Sequence, residues 1–194
     1  MSNESNFKFQ KNNALKKLEK AKAHDLVDKG IIPILDLINN FDDYYTSSSC
    51  YGRIVLLEIP SIGDKKNAVF LGKWHRQIST NDISESVNKA NKGLLWILAQ
   101  SPIIHIGAKT IEAADKILKK SISCGFKNSG IKSFDKNIIV EVASTERLDS
   151  PIGSNGILYC DDEYLDLLIK IANNIFAKSS GKLLKFQDKL TNDF

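Results

Sequence analysis

The order of secondary-structure signals constrains this chain more than any other feature. Helical and β-rich stretches alternate irregularly, with turn-forming clusters among them. Residues 53–59 and 67–74 are β-rich, and Pro60, Gly63 and Asp64 between them are turn formers, which predicts a hairpin. Upstream, Leu15, Leu18, Ala23 and Leu26 recur at rough helical spacing until Lys29 and Gly30. Ile34, Leu37, Ile38 and Phe41 mark a second helix, with Pro33 in its first turn, where a missing N–H costs little. Residues 82–92 read as a short polar helix, and residues 94–99 and 103–106 as strands broken by Ser101 and Pro102. Thr110 suits a helix N-cap, Glu112 the positive end of the dipole, and Gly125 the position just past the last turn. Ile111, Ala114, Ile117, Leu118 and Ile122 would form that helix's buried stripe. Short strands at 129–134, 138–143 and 156–160 precede a last helix from about Asp161 to Ala177. The pattern predicts an α+β class, with one mixed β-sheet packed with helices in a single domain spanning 1–194.

Composition allows such a core. The 194 residues are 42% hydrophobic and 26% charged, an ordinary globular balance that excludes disorder and collagen-like repeats. A chain of this length buries roughly 70% of its unfolded surface. The net charge of +4 is mild, but it is unevenly spread. Six lysines against two glutamates give residues 1–24 a charge of +4, and five lysines against two aspartates give residues 170–194 a charge of +3. By difference from the total of +4, the middle carries −3. The basic N- and C-terminal helices read either as solvated faces or as a polyanion-binding surface. Cys50, Cys124 and Cys160 are widely spaced, with no C-x-x-C pair, so neither a disulfide framework nor a zinc ribbon is expected. No run approaches the ~18–20 apolar residues of a membrane span, and residues 1–11 lack the apolar core of a secretory signal, so a cytoplasmic location is expected.

Several segments could carry chemistry. Ser47, Ser48 and Ser49 run through Cys50 and Tyr51 into Gly52 and Arg53, a polar stretch taken as the loop where a strand begins. Serine hydroxyls and exposed N–H groups can hold carboxylate or phosphate oxygens, and Arg can bind them bidentately. The same residues also suit a simple polar turn. Cys50 is a conceivable nucleophile with His75 or His105 as its base, which would make a hydrolase, although no hydrolase signature accompanies it. Lys73, Trp74, His75 and Arg76 end the second β-rich run. There Lys and Arg suit phosphates, His titrates near neutral pH, and Trp can stack on a base or lie against a sulfonium. His105 sits among Ile103, Ile104 and Ile106, as a core histidine would. Lys127, Asn128, Ser129 and Gly130 follow Gly125 and Phe126 and could form a donor-rich loop or a plain helix-to-strand connection. No metal-ligand motif is present, and neither G-x-G-x-x-G after a strand nor G-x-x-x-x-G-K-[ST] occurs.

Taken in order, these segments resemble the wybutosine-synthesis tRNA methyltransferases of the third-protein type. The likeness runs through Leu26-Val27-Asp28-Lys29-Gly30, Tyr45-Thr46-Ser47-Ser48-Ser49-Cys50 with Gly52-Arg53, Lys73-Trp74-His75, Pro102-Ile103-Ile104-His105 and Gly125-Phe126-Lys127-Asn128-Ser129-Gly130. One position departs: Tyr51 stands between Cys50 and Gly52, where the family pattern has Ser. The resemblance implies a non-Rossmann fold and S-adenosyl-L-methionine-dependent N-methylation of the tricyclic wyosine precursor base in phenylalanine tRNA, with no metal. Read from their chemistry, Ser47, Ser48, Ser49, Gly52 and Arg53 would hold the methionine carboxylate of the cofactor or a substrate phosphate, Trp74 would lie beside the sulfonium or the base, and His75 or His105 would be the proton acceptor. Lys73, Arg76, Lys127, Asn128, Ser129 and Gly130 would lie on the substrate side. A non-catalytic RNA-binding module would use the same basic termini.

Overall fold

The computed structural model describes residues 3–134 and 137–193. In chain order, the first elements are α1 (Asn3–Ala23), a 3₁₀ turn (Lys29–Ile31), α2 (Ile32–Asn40), β1 (Tyr44–Cys50), β2 (Arg53–Ile59), β3 (Val69–Trp74) and α3 (Thr80–Val87). They are followed by β4 (Leu94–Gln100), β5 (Ile103–Ala108), α4 (Ile111–Ser123), β6 (Gly130–Ser133), β7 (Ile138–Ala143), β8 (Arg147–Ser154), β9 (Ile157–Leu158) and α5 (Asp162–Asp193). These interleave two compact units, where the sequence pattern alone predicts one domain over 1–194. The first takes residues 1–51, 102–145 and 180–194; the second takes 52–101 and 146–179.

The α+β class holds, but the single mixed sheet does not. Among the described residues there are two sheets, ordered β1-β5-β7-β6 and β3-β2-β4-β8-β9, and every ladder in them is antiparallel. The reason lies in the chain path. It leaves the first unit after β1 and returns at β5, so strand signals that read as one series feed two separate sheets.

In the first unit, one face of the sheet buries Ile104, Ile106, Val140 and Val142 with Ile34, Leu35 and Ile38 of α2 and Ala114 and Ile117 of α4. Phe126 and Phe186 close this core edge to face, 5.8 Å apart. Helix α1 is strongly polar and is tied down by Phe7, whose ring lies 5.5 Å from that of Tyr45 on β1. It ends earlier than its spacing predicts because Asp25 takes a left-handed conformation (φ 53°). The N–H groups of Leu26 and Asp25 then return to the carbonyls of Ala21 and Lys22, which satisfies the last turn. Helix α4 closes in the same way at Gly125, and it begins as expected, with Thr110 accepting from the Ala113 N–H.

In the second unit, Ile54, Leu56, Leu95, Ile97 and Ala99 pack on Ile83 of α3 and on Leu165, Leu168 and Ala172 of α5. Ser79 and Asp82 form a reciprocal cap on α3. Helix α5 runs well past the predicted end near Ala177, through Gly181. Leu183, Phe186 and Leu190 are buried beyond that glycine, and their burial outweighs its ~1 kcal/mol helix cost.

Candidate active site

The serine run is not a loop. Residues 44–50 form β1, the edge strand of the first sheet, paired with β5. The register shifts between Thr46 and Ser48, so Ser47 is the extra residue of a bulge, a feature that re-aims side chains at a strand edge. Two side chains hold the outer border of this strand. Asn39 accepts from the Thr46 N–H (2.8 Å) and donates to Thr46 Oγ1 (2.9 Å), and Asp28 accepts from the Tyr51 N–H (2.9 Å). Tyr51 lies over Gly30, where an added Cβ would come within 2.7 Å of its ring, and its hydroxyl reaches Ser180 (3.2 Å).

Between these anchors lies a cleft of about 270 Å³. Ser47, Ser48 and Ser49 line one side; Ala14, Lys17, Leu18 and Ala21 of α1 line another; and Leu26, Val27 and Asp28 complete it. It is therefore apolar where a flat ring could lie, and it carries hydroxyls and one ammonium where an anion could be held. Its volume is just short of the roughly 300–1,000 Å³ of small-molecule pockets, enough to enclose one end of an extended ligand.

A second feature begins at the same strand. Ser48, His105, Glu141 and Gly130 lie directly opposite one another on β1, β5, β7 and β6, one residue from each strand across the whole sheet. Directly opposed residues project from the same face. Accordingly, Ser48 Oγ lies 2.8 Å from His105 Nδ1, and His105 Nε2 lies 3.0 Å from Glu141 Oε2. The other Glu141 oxygen pairs with Lys132 Nζ at 2.8 Å. Burial pushes the Glu141 carboxyl up, but hydrogen bonds and charge from Lys132 and His105 outweigh it, and the pKa falls below the ordinary glutamate value. Gly130 at the end of the row has open space where a Cβ would stand, so packing does not require glycine there.

Other residues predicted for the site are placed as follows. Lys127 and Asn128 are exposed, and Asn128 donates its N–H to Ala143. The Ser129 hydroxyl is spent on backbone: it donates to the Phe126 carbonyl (2.7 Å) and accepts from the Ala143 N–H (3.1 Å). Both His105 nitrogens are occupied by Ser48 and Glu141, so Cys50 gains no base there. The remaining candidates belong to the second unit. Gly52 has φ 94°, and its carbonyl accepts from His75 Nδ1 (2.9 Å). Arg53 donates Nε to Gln100 (2.7 Å) and stacks over Phe70. Lys73, opposite Val55, shares that sheet face with Arg53. Trp74 faces the other way, into the second core, where its indole fills the space over Gly72. Arg76 is held by both oxygens of Asp82 (2.6 and 3.1 Å). Among the described residues, no three His, Cys, Asp or Glu side chains are grouped to hold a metal, and no helix is long and apolar enough to cross a membrane.

Glu141 and Lys132 escaped the sequence reading, and Asp28, within the family-like run, was given no role there. Glu141 carried a signal, an acid within the otherwise apolar run Ile138-Ile139-Val140-Glu141-Val142.

The family model described as "Methyltransferase TYW3" matches residues 9–192. A protein of Pyrococcus horikoshii named tRNA(Phe) 7-((3-amino-3-carboxypropyl)-4-demethylwyosine(37)-N(4))-methyltransferase 1 is 46% identical, over 95% of each chain. A Thermococcus sibiricus enzyme of the same name, without the final numeral, is 43% identical over 96% of this chain and 95% of its own. The solved structure of PH1069 protein from Pyrococcus horikoshii superposes with a TM-score of 0.94 at 45% identity, covering 98% of both chains. The chain belongs to the TYW3 methyltransferase family.

Proposed function

We propose that this methyltransferase methylates N4 of the tricyclic wyosine precursor base of phenylalanine tRNA, the reaction its relatives are named for, with S-adenosyl-L-methionine as the methyl donor. The observation that carries the assignment of a site is the cleft along β1, which joins the serine run to apolar walls. Its residues suit the donor. The Ser47 and Ser49 hydroxyls and the Lys17 ammonium match a carboxylate, Asp28 matches an ammonium or a ribose diol, and Leu18, Leu26 and Val27 match a purine face. When bound, S-adenosylmethionine supplies an electrophilic methyl carbon on a sulfonium. The chain's part is then to orient the two reactants, worth ~7–11 kcal/mol when well aligned, and to take up the proton that the ring nitrogen loses. His105 is the proton acceptor in this reading. Lys127 and Asn128 in the first unit, and Arg53 and Lys73 in the second, bind the tRNA backbone.

Calorimetric titration with S-adenosylmethionine tests the site. Binding to one site, weakened tenfold or more by Lys17→Ala and by Ser49→Ala, is the expected result. Wild-type affinity in both variants would move the cofactor out of the cleft.

A further inference from the structure

Ser48 is the residue that belongs to both features of the first unit. It lines the cleft, and its hydroxyl is bonded to His105. His105 itself is not part of the cleft wall; it stands one strand further in, braced from the far side by Glu141. A base that removes a proton from a substrate in the cleft must therefore act through the group between them.

The hydrogen bonds fix the direction of that path. An ionised carboxylate only accepts, so in the neutral ring His105 Nε2 carries the proton and donates it to Glu141 Oε2. Nδ1 then holds the lone pair, and the Ser48 hydroxyl donates to it. Lys132 on the second carboxylate oxygen keeps Glu141 ionised, which its lowered pKa reflects. Register sets the spacing of the arrangement. Each member sits on a different strand at a directly opposed position, so the backbone ladders hold their Cβ atoms in a row on one face.

We infer that Ser48 and His105 form a proton relay for the methyl transfer, with Glu141 as the positioning residue that sets the tautomer of His105. The inference rests on the methyltransferase reading above and deepens it. The ring nitrogen of the substrate forms its bond to the methyl carbon as the carbon–sulfur bond breaks, and that bonding pair stays with sulfur. The proton lost by the nitrogen passes to Ser48 Oγ, and the proton already on Ser48 moves to His105 Nδ1. The resulting imidazolium is stabilised by the Glu141 carboxylate, which does not itself take the proton. In this account Ser48 is removed from the cofactor-holding set, and Ser47 and Ser49 remain in it.

Two measurements test the relay. The first needs no turnover: nitrogen-15 NMR of the histidine rings of the free protein at high pH. His105 is expected as the Nε2–H tautomer, and Glu141→Gln should reduce that preference. A wild-type Nδ1–H tautomer overturns the relay. The second is single-turnover methylation. Ser48→Ala and His105→Ala should each lower the rate about 100-fold or more, the lower end for a positioned acid–base group. Glu141→Gln should lower it about tenfold, with binding of S-adenosylmethionine and tRNA unchanged. Because the members act as a unit, Glu141→Gln combined with His105→Ala should be no slower than His105→Ala alone. Multiplicative losses in that pair, or wild-type rates in Ser48→Ala, overturn the relay. An absence of methyl transfer by the wild-type protein would instead count against the methyltransferase reading and leave the tautomer result to stand alone.

Discussion

Replacing Asn39 by Ala tests how the fold supports the cleft. Asn39 and Thr46 are both buried, and two hydrogen bonds join them. The substitution removes both bonds, each worth ~0.5–1.5 kcal/mol net, and leaves the Thr46 N–H without an acceptor in a dry place, a further ~1–3 kcal/mol. A loss of about 4 kcal/mol is expected, with a range of about 2–6. Thr46→Val is the comparison: it keeps the N–H bond and leaves only Asn39 Nδ2 unpaired, for about 1–2 kcal/mol. Urea unfolding followed by circular dichroism reads both. With a slope of about 2 kcal/mol/M, Asn39→Ala should lower the midpoint by about 1–3 M, and Thr46→Val by about 0.5–1 M. The same loosening of β1 should weaken S-adenosylmethionine binding in Asn39→Ala more than in Thr46→Val. A midpoint within about 0.2 M of wild type for Asn39→Ala, or a larger loss in Thr46→Val, would refute the reasoning.

Other outcomes follow from single substitutions. Gly107→Ala would place a Cβ about 2.2 Å from the Tyr45 ring, so overpacking should cost ~1–3 kcal/mol and lower the melting temperature, whereas Gly130→Ala, with open space at its Cβ, should leave stability near wild type. Desolvation raises the Tyr44 phenol to about 12, and its O–H donates to the Ala113 carbonyl. Its contribution is thus complete below the unfolded pKa of about 10 and is lost as pH rises from there to about 12, so alkaline unfolding should begin in that window and be less steep in Tyr44→Phe. The hydrogen bond to Arg76 holds the Asp82 carboxyl well below the usual carboxylate range. That contribution is present above about pH 4 and is lost as pH falls, so Asp82→Asn should flatten the acid limb of the stability profile. Affinity for tRNA should fall steeply with salt, and replacing Lys16, Lys182 and Lys185 by neutral residues should make the slope shallower by about 0.7–0.9 for each phosphate no longer neutralised; an unchanged slope would make those lysines a solvated face.

The sequence was most informative where one face of an element is apolar and a breaker ends it. Thr110 and Gly125 bound α4, and the β2–β3 hairpin follows from its alternating strands and its turn residues. Strand β1 was hidden because Thr46, Ser47, Ser48 and Ser49 show no hydrophobic alternation, and their pairing is dictated by β5 rather than by their own composition. Strand β8 was hidden by Pro151, which the sheet tolerates beside the register shift opposite Leu95 and Trp96. The site was legible in part. Serine hydroxyls and a histidine could be named, but only register brings Ser48 to His105 across 57 residues and adds Glu141, 36 residues further on. Trp74 and Arg76 show the converse. Both have suitable chemistry, and the fold commits one to a core and the other to the cap of α3.

The central claim is most directly tested with phenylalanine tRNA that carries the unmethylated wyosine precursor, incubated with the purified protein and S-adenosylmethionine labelled in its methyl group. Mass spectrometry of the digested tRNA reads the result. The account predicts one labelled methyl group, located on N4 of the tricyclic base, and a rate cut about 100-fold or more by Ser48→Ala. An unmodified base at saturating cofactor and enzyme, or a methyl group on any other nucleoside, would contradict it.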